Sequence, residues 1–237
     1  MKIFNKDDKM SSLISGNYNL LPVINRFGIK LGFKEKTIGE VCKEQQINTS
    51  FFLAIVNTYT DESYFPHSEL LSFSPFLIID YLMTTHQYYI NYVLPKIERL
   101  LNQVLLSCKE DCSSLKMISS FYHKYKTELL LHFQQEDEKV FPYIKELYTT
   151  RELKDPGNSL AVFENEHNNV EVKLSDLKNL IIKYLEPNYD LNDMNEFLIA
   201  LFQFEKDIFD HARIEDKILN VQVLQFEEEL KTLNGIR

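Results

Sequence analysis

Apolar residues recur every three or four positions through most of the chain beyond residue 75, which is the spacing of helices with one buried face. Leu198, Leu201, Phe204 and Ile208 are typical of this pattern. The periodicity predicts four long helices, at about 75–107, 113–148, 159–185 and 191–231. Because the connections between them are short, we expect an all-α fold with an up-down-up-down four-helix bundle.

Helix-breaking residues fall where the periodic stretches begin and end. Pro75 suits a first helical turn, the Asp-Pro-Gly-Asn-Ser stretch at 155–159 is a turn that ends in a cap, and Glu-Pro-Asn at 186–188 stops the third stretch. Pro95 and Pro142 lie inside the periodic stretches or near their ends. They therefore predict a local kink or termination of the helix.

The first 70 residues have a different organisation, with short helical segments separated by glycines. Thr37 and Glu40 have the spacing of a capping box, and Asn48 begins the cap of a second short helix at about 51–58. We therefore predict a small helical N-terminal domain at 1–70 and the four-helix bundle at 71–237.

Composition and charge narrow the classes of partner. Hydrophobic residues make up 44% of the 237 residues and charged residues 26%, which is typical of a globular protein. The net charge of -9 argues against nucleic acid, because binding to a phosphate backbone depends on Lys and Arg. The most apolar run, Leu70 to Met83, contains Pro75 and Asp80 and is too short to span a bilayer, so we expect no membrane association.

The cysteines and the N-terminus favour a cytoplasmic protein. The three cysteines Cys42, Cys108 and Cys112 cannot all pair, and the first residues have no apolar stretch typical of a signal peptide. Cys108 and Cys112 share a face at a helix end. Without two further ligands at suitable spacing, we expect them to be ordinary thiols rather than a metal site or a redox pair.

Histidine and glutamate recur at a spacing of four. Three of the six histidines are followed by glutamate after four positions: His132 and Glu136, His167 and Glu171, and His211 and Glu215. On a helix this spacing places both side chains on one face, close enough to share a metal or to bridge two. Imidazole with carboxylate suits Fe, Zn or Mn better than Ca or Mg.

Four histidines also lie at one level of the predicted bundle. They are His86 and His167, which lie 21 and 18 residues before the ends of their helices, and His132 and His211, which lie 19 and 20 residues after the starts of theirs. In an up-down-up-down bundle these four helix termini lie at the same end. At about 1.5 Å per residue, all four lie roughly 27 to 32 Å from that end. One histidine per helix at a common level predicts a metal site inside the bundle.

These residues and their neighbours resemble the hemerythrin-like, HHE cation-binding family over about residues 75 to 220. The shared pattern is a first-helix histidine, a His-x-x-x-Glu motif near Phe-Pro, a Glu-His pair and a second His-x-x-x-Glu motif. The resemblance implies two iron ions per chain. It assigns His86 and His132 to one iron, His167 and His211 to the other, and Glu136 and Glu215 as carboxylates that bridge both.

One departure from the family pattern concerns Glu171, which stands where oxygen-carrying hemerythrins have a fifth histidine. The resemblance therefore argues against an oxygen carrier and implies a more open coordination. A ferritin-like di-iron protein would need two Glu-x-x-His motifs. Here only Glu164 and His167 form one near a ligand, so that alternative is disfavoured.

The N-terminal stretches 26–33 and 37–42 resemble the small helical domain that precedes the bundle in di-iron proteins that repair iron–sulfur clusters. Those proteins usually carry an adjacent cysteine pair where this chain reads Lys30, Leu31 and Gly32. The resemblance implies repair of clusters damaged by nitrosative or oxidative stress, with damaged iron–sulfur proteins or small diatomic ligands as partners. It leaves open a nitric oxide or peroxide reductase activity and a homodimer.

Two other functions remain open at this point. One is a di-iron sensor or binding module for oxygen or nitric oxide. The other is a protein for iron storage or transfer.

Overall fold

In a computed structural model of the chain, residues 3–61, 63–153 and 170–233 are described. They confirm the all-α fold. The helices are, in chain order, α1 (Met10–Gly16), α2 (Leu21–Arg26), α3 (Ile38–Glu44), α4 (Thr49–Thr60), α5 (His67–Leu70), α6 (Pro75–Tyr88), α7 (Leu94–Ser107), α8 (Ser113–Gln135), α9 (Phe141–Thr150), α10 (Val170–Tyr184), α11 (Leu191–Ile214) and α12 (Asn220–Leu233).

The four predicted long helices correspond to α6 with α7, α8 with α9, α10, and α11 with α12. Their ends agree with the sequence breakers to within a few residues, except that the first part of the predicted helix 159–185 lies outside the described residues. Among the described residues, no helix is both long enough and apolar enough to cross a membrane.

Three of these long helices contain one wider, π-helical turn. These turns are Tyr89–Val93, Glu136–Val140 and Glu215–Leu219. After each of them a backbone N–H bonds to the carbonyl five residues earlier: Leu94 to Tyr89, Phe141 to Glu136, and Asn220 to Glu215. Such single π turns inside α-helices occur frequently at functional sites.

Proline accounts for two of the three π turns. A proline inside a helix has no N–H and its ring clashes with the carbonyl four residues earlier. For Pro95 that residue is Asn91 and for Pro142 it is Glu138, each in the middle of the π turn that precedes the proline. The predicted disruption is therefore a widening of the helix, which continues beyond it. No proline follows Glu215–Leu219 within its helix, and the sequence gives no comparable reason for that turn.

The chain divides into two compact units. One comprises Met1–Thr85 with Ala212–Gln222, and the other His86–His211 with Val223–Arg237. This division falls later in the chain than residue 70. Most of α6, up to Thr85, belongs to the first unit, where the Tyr81 ring stacks on Phe27 at a centroid distance of 5.3 Å. The domain boundary at 70/71 itself stays a prediction.

The first unit is held by helix caps and an aromatic core. Thr37 Oγ1 accepts from the backbone N–H of Glu40, and the Glu40 carboxylate accepts from that of Thr37, which confirms the predicted capping box. Asn48 Oδ1 accepts from the Phe51 N–H and caps α4 as predicted. In α4, Phe51 and Phe52 are buried and pack edge-on against Phe27.

The second unit has one continuous apolar core formed by its long helices. Within this core, the Tyr122 hydroxyl of α8 donates a hydrogen bond to the Leu94 carbonyl, 3.1 Å away. The buried core includes Ile97, Leu101, Val104, Leu115, Tyr122, Leu129, Leu174, Leu177, Phe197, Leu201 and Phe204.

The connection between α7 and α8 corrects one expectation. Cys108 and Cys112 are not ordinary thiols but are joined by a disulfide. Cys108 caps the end of α7 and Cys112 the start of α8, so the short connection brings their Cα atoms to 6.1 Å. Cys42 is a free, fully buried cysteine.

Candidate metal centre

Three of the predicted ligands converge in the interior of the second unit. His86 lies in the last turn of α6, directly before the π turn Tyr89–Val93. Glu136 is the first residue of the π turn Glu136–Val140, and His211 lies near the end of α11. One potential ligand atom from each of the three lies within 4.8 Å of the others. His86 Nε2 is 3.1 Å from His211 Nε2 and 3.3 Å from Glu136 Oε2, and all three side chains are buried.

His132 joins this cluster through the second oxygen of the same carboxylate. Its Nε2 lies 3.0 Å from Glu136 Oε1, so the carboxylate stands between the imidazoles of His86 and His132. The His132 side chain is 17% exposed, whereas those of His86 and Glu136 are almost completely buried. Solvent therefore reaches the cluster on the His132 side.

The remaining predicted ligands are less completely described. Glu215 is buried and opens the π turn that follows His211 in the same helical run. His167 lies outside the described residues. Glu171 belongs to α10, and its side chain lies outside the described part. The set of six ligands therefore stays a prediction.

Asp137 is a member of the site that no spacing rule indicated. Its Oδ1 lies 2.8 Å from His86 Nδ1, although the two residues are 51 positions apart. The His86 ring also stacks on Phe133, with centroids 4.3 Å apart, and lies near-parallel to Phe141 at 5.8 Å. In the sequence, Asp137 is simply an aspartate next to Glu136, and its place in the site is recognised once the structure shows its contact with His86.

Tyr89 borders the cluster on another side. Its ring is buried, packs against Phe133 and Phe204, and lies 5.8 Å from the His211 ring. Its hydroxyl donates to Asp207 Oδ1 over 2.9 Å. The Tyr89 side chain thus lies between the apolar core and the cluster of histidines and carboxylates.

Burial decides the charge of His86. Desolvation lowers the pKa of its imidazole, and the hydrogen bond that Nδ1–H donates to the Asp137 carboxylate opposes this shift only in part. The neutral imidazole is therefore favoured, which is the form that binds metal ions. A group of imidazoles around one carboxylate fits Fe, Zn or Mn better than the oxygen-binding Ca and Mg.

The other two described histidines take no part in the cluster. His67 starts α5 and is exposed. His123 is exposed on α8, where its Nε2 lies 3.3 Å from Glu98 Oε1. Both are suitable control positions for metal-binding experiments.

The chain belongs to the hemerythrin HHE cation binding domain family, whose model matches residues 77–222, more than half of the chain. A similar individual protein is the iron–sulfur cluster repair protein ScdA of Staphylococcus haemolyticus (strain JCSC1435). The two are 22% identical over 105 residues, which cover 44% of this chain and 47% of that protein. The chain therefore matches about half the length of this relative.

Proposed function

We propose that this chain is a non-heme di-iron protein that takes part in the repair of iron–sulfur clusters damaged by nitrosative or oxidative stress. The observation that carries the proposal is the buried cluster of His86, Glu136 and His211, with His132 on the second oxygen of Glu136. A site of this donor type in a family of cation-binding domains supports a resident metal centre.

The proposed ligands are those of the family pattern. His86 and His132 would hold one iron, His167 and His211 would hold the other, and Glu136 and Glu215 would be carboxylates shared by both. Glu136 Oε2 lies 3.3 Å from His86 Nε2, and ligand atoms of Glu136, His86 and His211 lie within 4.8 Å of one another, so Glu136 is close to a proposed ligand of each iron. When bound, the iron pair supplies redox equivalents and open positions for small ligands.

The protein side chains provide the environment for that chemistry. The Glu136 carboxylate offsets cationic charge in a buried site, where an isolated cation would be costly. The partly exposed edge at His132 gives small molecules a path to the cluster. Iron–sulfur proteins and diatomic ligands are the proposed partners, and the name of the similar repair protein supports the repair role. A cytoplasmic site of action is part of the proposal.

Metal analysis is the first test of this proposal. Metal-free protein loaded without air with Fe²⁺ alone should contain two irons per chain. Zinc binds such sites more tightly than Fe²⁺ in general, so overexpressed protein alone is not a sufficient sample. At most one iron per chain after loading with excess Fe²⁺ would contradict the di-iron assignment.

Ligand variants test which residues hold the metals. Glu136→Ala or Glu215→Ala should each lose at least one iron, because a bridging carboxylate screens the repulsion between two cations. His67→Ala and His123→Ala are matched controls that should keep both irons. Full iron occupancy in both glutamate variants would show that the bridges are assigned wrongly.

Exposure of the reduced protein to air and to nitric oxide tests the functional class. Rapid irreversible oxidation, nitrous oxide release, or recovery of a nitric-oxide-damaged iron–sulfur enzyme would support repair. An oxygen adduct that reverses on degassing would instead indicate a sensor or binding module. Glu171→His should shift the behaviour towards oxygen binding, because it restores the histidine of the oxygen carriers.

A further inference from the structure

We infer that Asp137 is a positioning residue for His86, which holds the imidazole so that Nε2 is presented to the metal. The inference rests on the proposed metal site. It concerns a residue that binds no metal itself, since its carboxylate contacts the opposite nitrogen of the ring.

The geometry at His86 fixes both ends of the ring. Asp137 Oδ1 lies 2.8 Å from Nδ1, while Nε2 faces Glu136 Oε2 at 3.3 Å and His211 Nε2 at 3.1 Å. Two successive residues, Glu136 and Asp137, thus contact the two nitrogens of one imidazole. Residues that follow each other on a regular helix point in different directions, and here both belong to the π turn Glu136–Val140.

The faces of the ring are equally constrained. Phe133 stacks on it with an interplanar angle of 20°, and Phe141 lies near-parallel at 15°. With aromatic rings restricting its rotation, the imidazole depends on Asp137 to select which nitrogen carries the proton.

The chemistry follows from the tautomers of imidazole. A neutral ring has one N–H donor and one lone pair. When Nδ1–H donates to the Asp137 carboxylate, the lone pair is on Nε2, which faces the other ligand atoms. The same hydrogen bond makes Nε2 a stronger ligand, and loss of such a partner typically lowers metal affinity about 10- to 100-fold.

The neighbouring Glu138 provides a matched control. It lies on the same π turn but is exposed, and its carboxylate accepts from Gln134 Nε2 at 3.1 and 3.2 Å. A general effect of removing negative charge from this turn would appear in Glu138→Gln as well. If Asp137 positions His86, substitutions of Asp137 should weaken metal binding, whereas Glu138→Gln should leave it unchanged.

The test compares full-length wild type with Asp137→Leu, Asp137→Asn and Glu138→Gln. Iron and zinc affinities are measured without air by competition with a chromophoric chelator. Asp137→Leu should bind roughly 10- to 100-fold more weakly. Asp137→Asn should bind with intermediate affinity, because its amide oxygen still accepts from Nδ1–H, and Glu138→Gln should equal wild type. The melting temperature of each metal-free variant checks that the fold is intact.

A second readout reports the proton directly. Nitrogen-15 spectra of the metal-free protein should show the His86 proton on Nδ1 in wild type and Asp137→Asn, and a mixture of the two tautomers in Asp137→Leu. Affinity of Asp137→Leu within about threefold of wild type, with an unchanged spectrum, would overturn the inference.

The outcomes also separate this inference from the proposed function. Wild type that binds zinc but never two irons would end the di-iron proposal, while the zinc affinities would still measure the effect of Asp137. Wild type that binds no metal would overturn both.

Discussion

The two ends of the second unit differ sharply in what they bury. Toward the α7–α8 connection, the described parts of the long helices bury mainly apolar and aromatic side chains around residues such as Leu101 and Phe197. About 20 residues away along the first bundle helix, or roughly 30 Å, the same helices bury His86, Glu136 and His211 together. The same bundle therefore has an apolar level, which stabilises the fold, and a ligand level, whose side chains can bind a metal.

The physical difference lies in desolvation. Full burial of a leucine or phenylalanine side chain stabilises a fold by about 1.5–3 kcal/mol. Burial of a carboxylate costs energy unless charge or hydrogen bonds compensate it. A cation at Glu136 would supply such compensation, so the ligand level should gain stability on metal binding, whereas the apolar level should not respond to metal.

The largest expected effect is at the apolar level. Leu101 is completely buried in α7, and Leu101→Ala should lower the free energy of unfolding by about 3 kcal/mol, through lost transfer energy and a cavity. Urea unfolding of the metal-free protein measures this. Leu106→Ala on the same helix is the control, since Leu106 is 87% exposed and should change stability very little.

Metal content of the Leu101→Ala protein completes this comparison. Because the substitution is remote from the ligands, folded Leu101→Ala should bind as much iron as wild type. Loss of iron at full folding would show that the two levels are not independent.

The next effect concerns the ligand level. Metal at about 100 times its dissociation constant should raise stability by about 2.7 kcal/mol, because it binds only the folded state. In Glu136→Gln this gain should shrink or vanish, while the metal-free variant should be no less stable than metal-free wild type. Thermal unfolding with and without iron, under argon, gives both values. An equal shift in both proteins would contradict the role of Glu136.

The sequence predicted the apolar level better than the details of the ligand level. Periodicity and breakers located the long helices because both act locally along the chain. The common height of the histidines brought His86, His132 and His211 into one neighbourhood, and the structure joins the first two through Glu136. These signals depend on spacing along a helix, which is regular.

The contact between Asp137 and His86 could not be predicted, since it joins two helices and depends on the exact rotation of each. The π turns add to this difficulty. Pro142 indicated a disruption, but not that the helix would continue with a wider turn. The Cys108–Cys112 disulfide was missed for a different reason, because the expectation rested on the lack of further metal ligands and did not take account of the closeness of two helix caps.

A smaller effect is expected at that disulfide, which lies at the far end of the apolar level. A bridge between residues four apart constrains only a short loop, so its contribution should be about 2 kcal/mol, less than for long loops. Cys108→Ser should therefore lower the urea midpoint of unfolding without changing iron content. Dithiothreitol should bring wild type to the stability of the variant and leave the variant unchanged. A wild type that is insensitive to reduction would argue against a structural contribution.

The smallest effect is expected at Tyr89, which lies between the apolar level and the ligand level. Tyr89→Phe removes a hydroxyl that donates to Asp207 over 2.9 Å but keeps the buried ring against Phe133 and Phe204. Because Asp207 is only partly buried and water can replace the lost donor, we expect a loss of about 1 kcal/mol in stability. Tyr92→Phe, in the same π turn but 55% exposed, should have no measurable effect.

Metal affinity then distinguishes the two roles of Tyr89. If the ring acts only as part of the apolar core, Tyr89→Phe should bind iron as wild type does. The Asp207 carboxylate lies one turn before His211 in α11, and the Tyr89 ring lies 5.8 Å from that imidazole. We therefore expect a several-fold weaker affinity, because Asp207, one turn before His211, loses the hydrogen bond from Tyr89. Unchanged affinity together with the stability loss would place Tyr89 wholly within the apolar level.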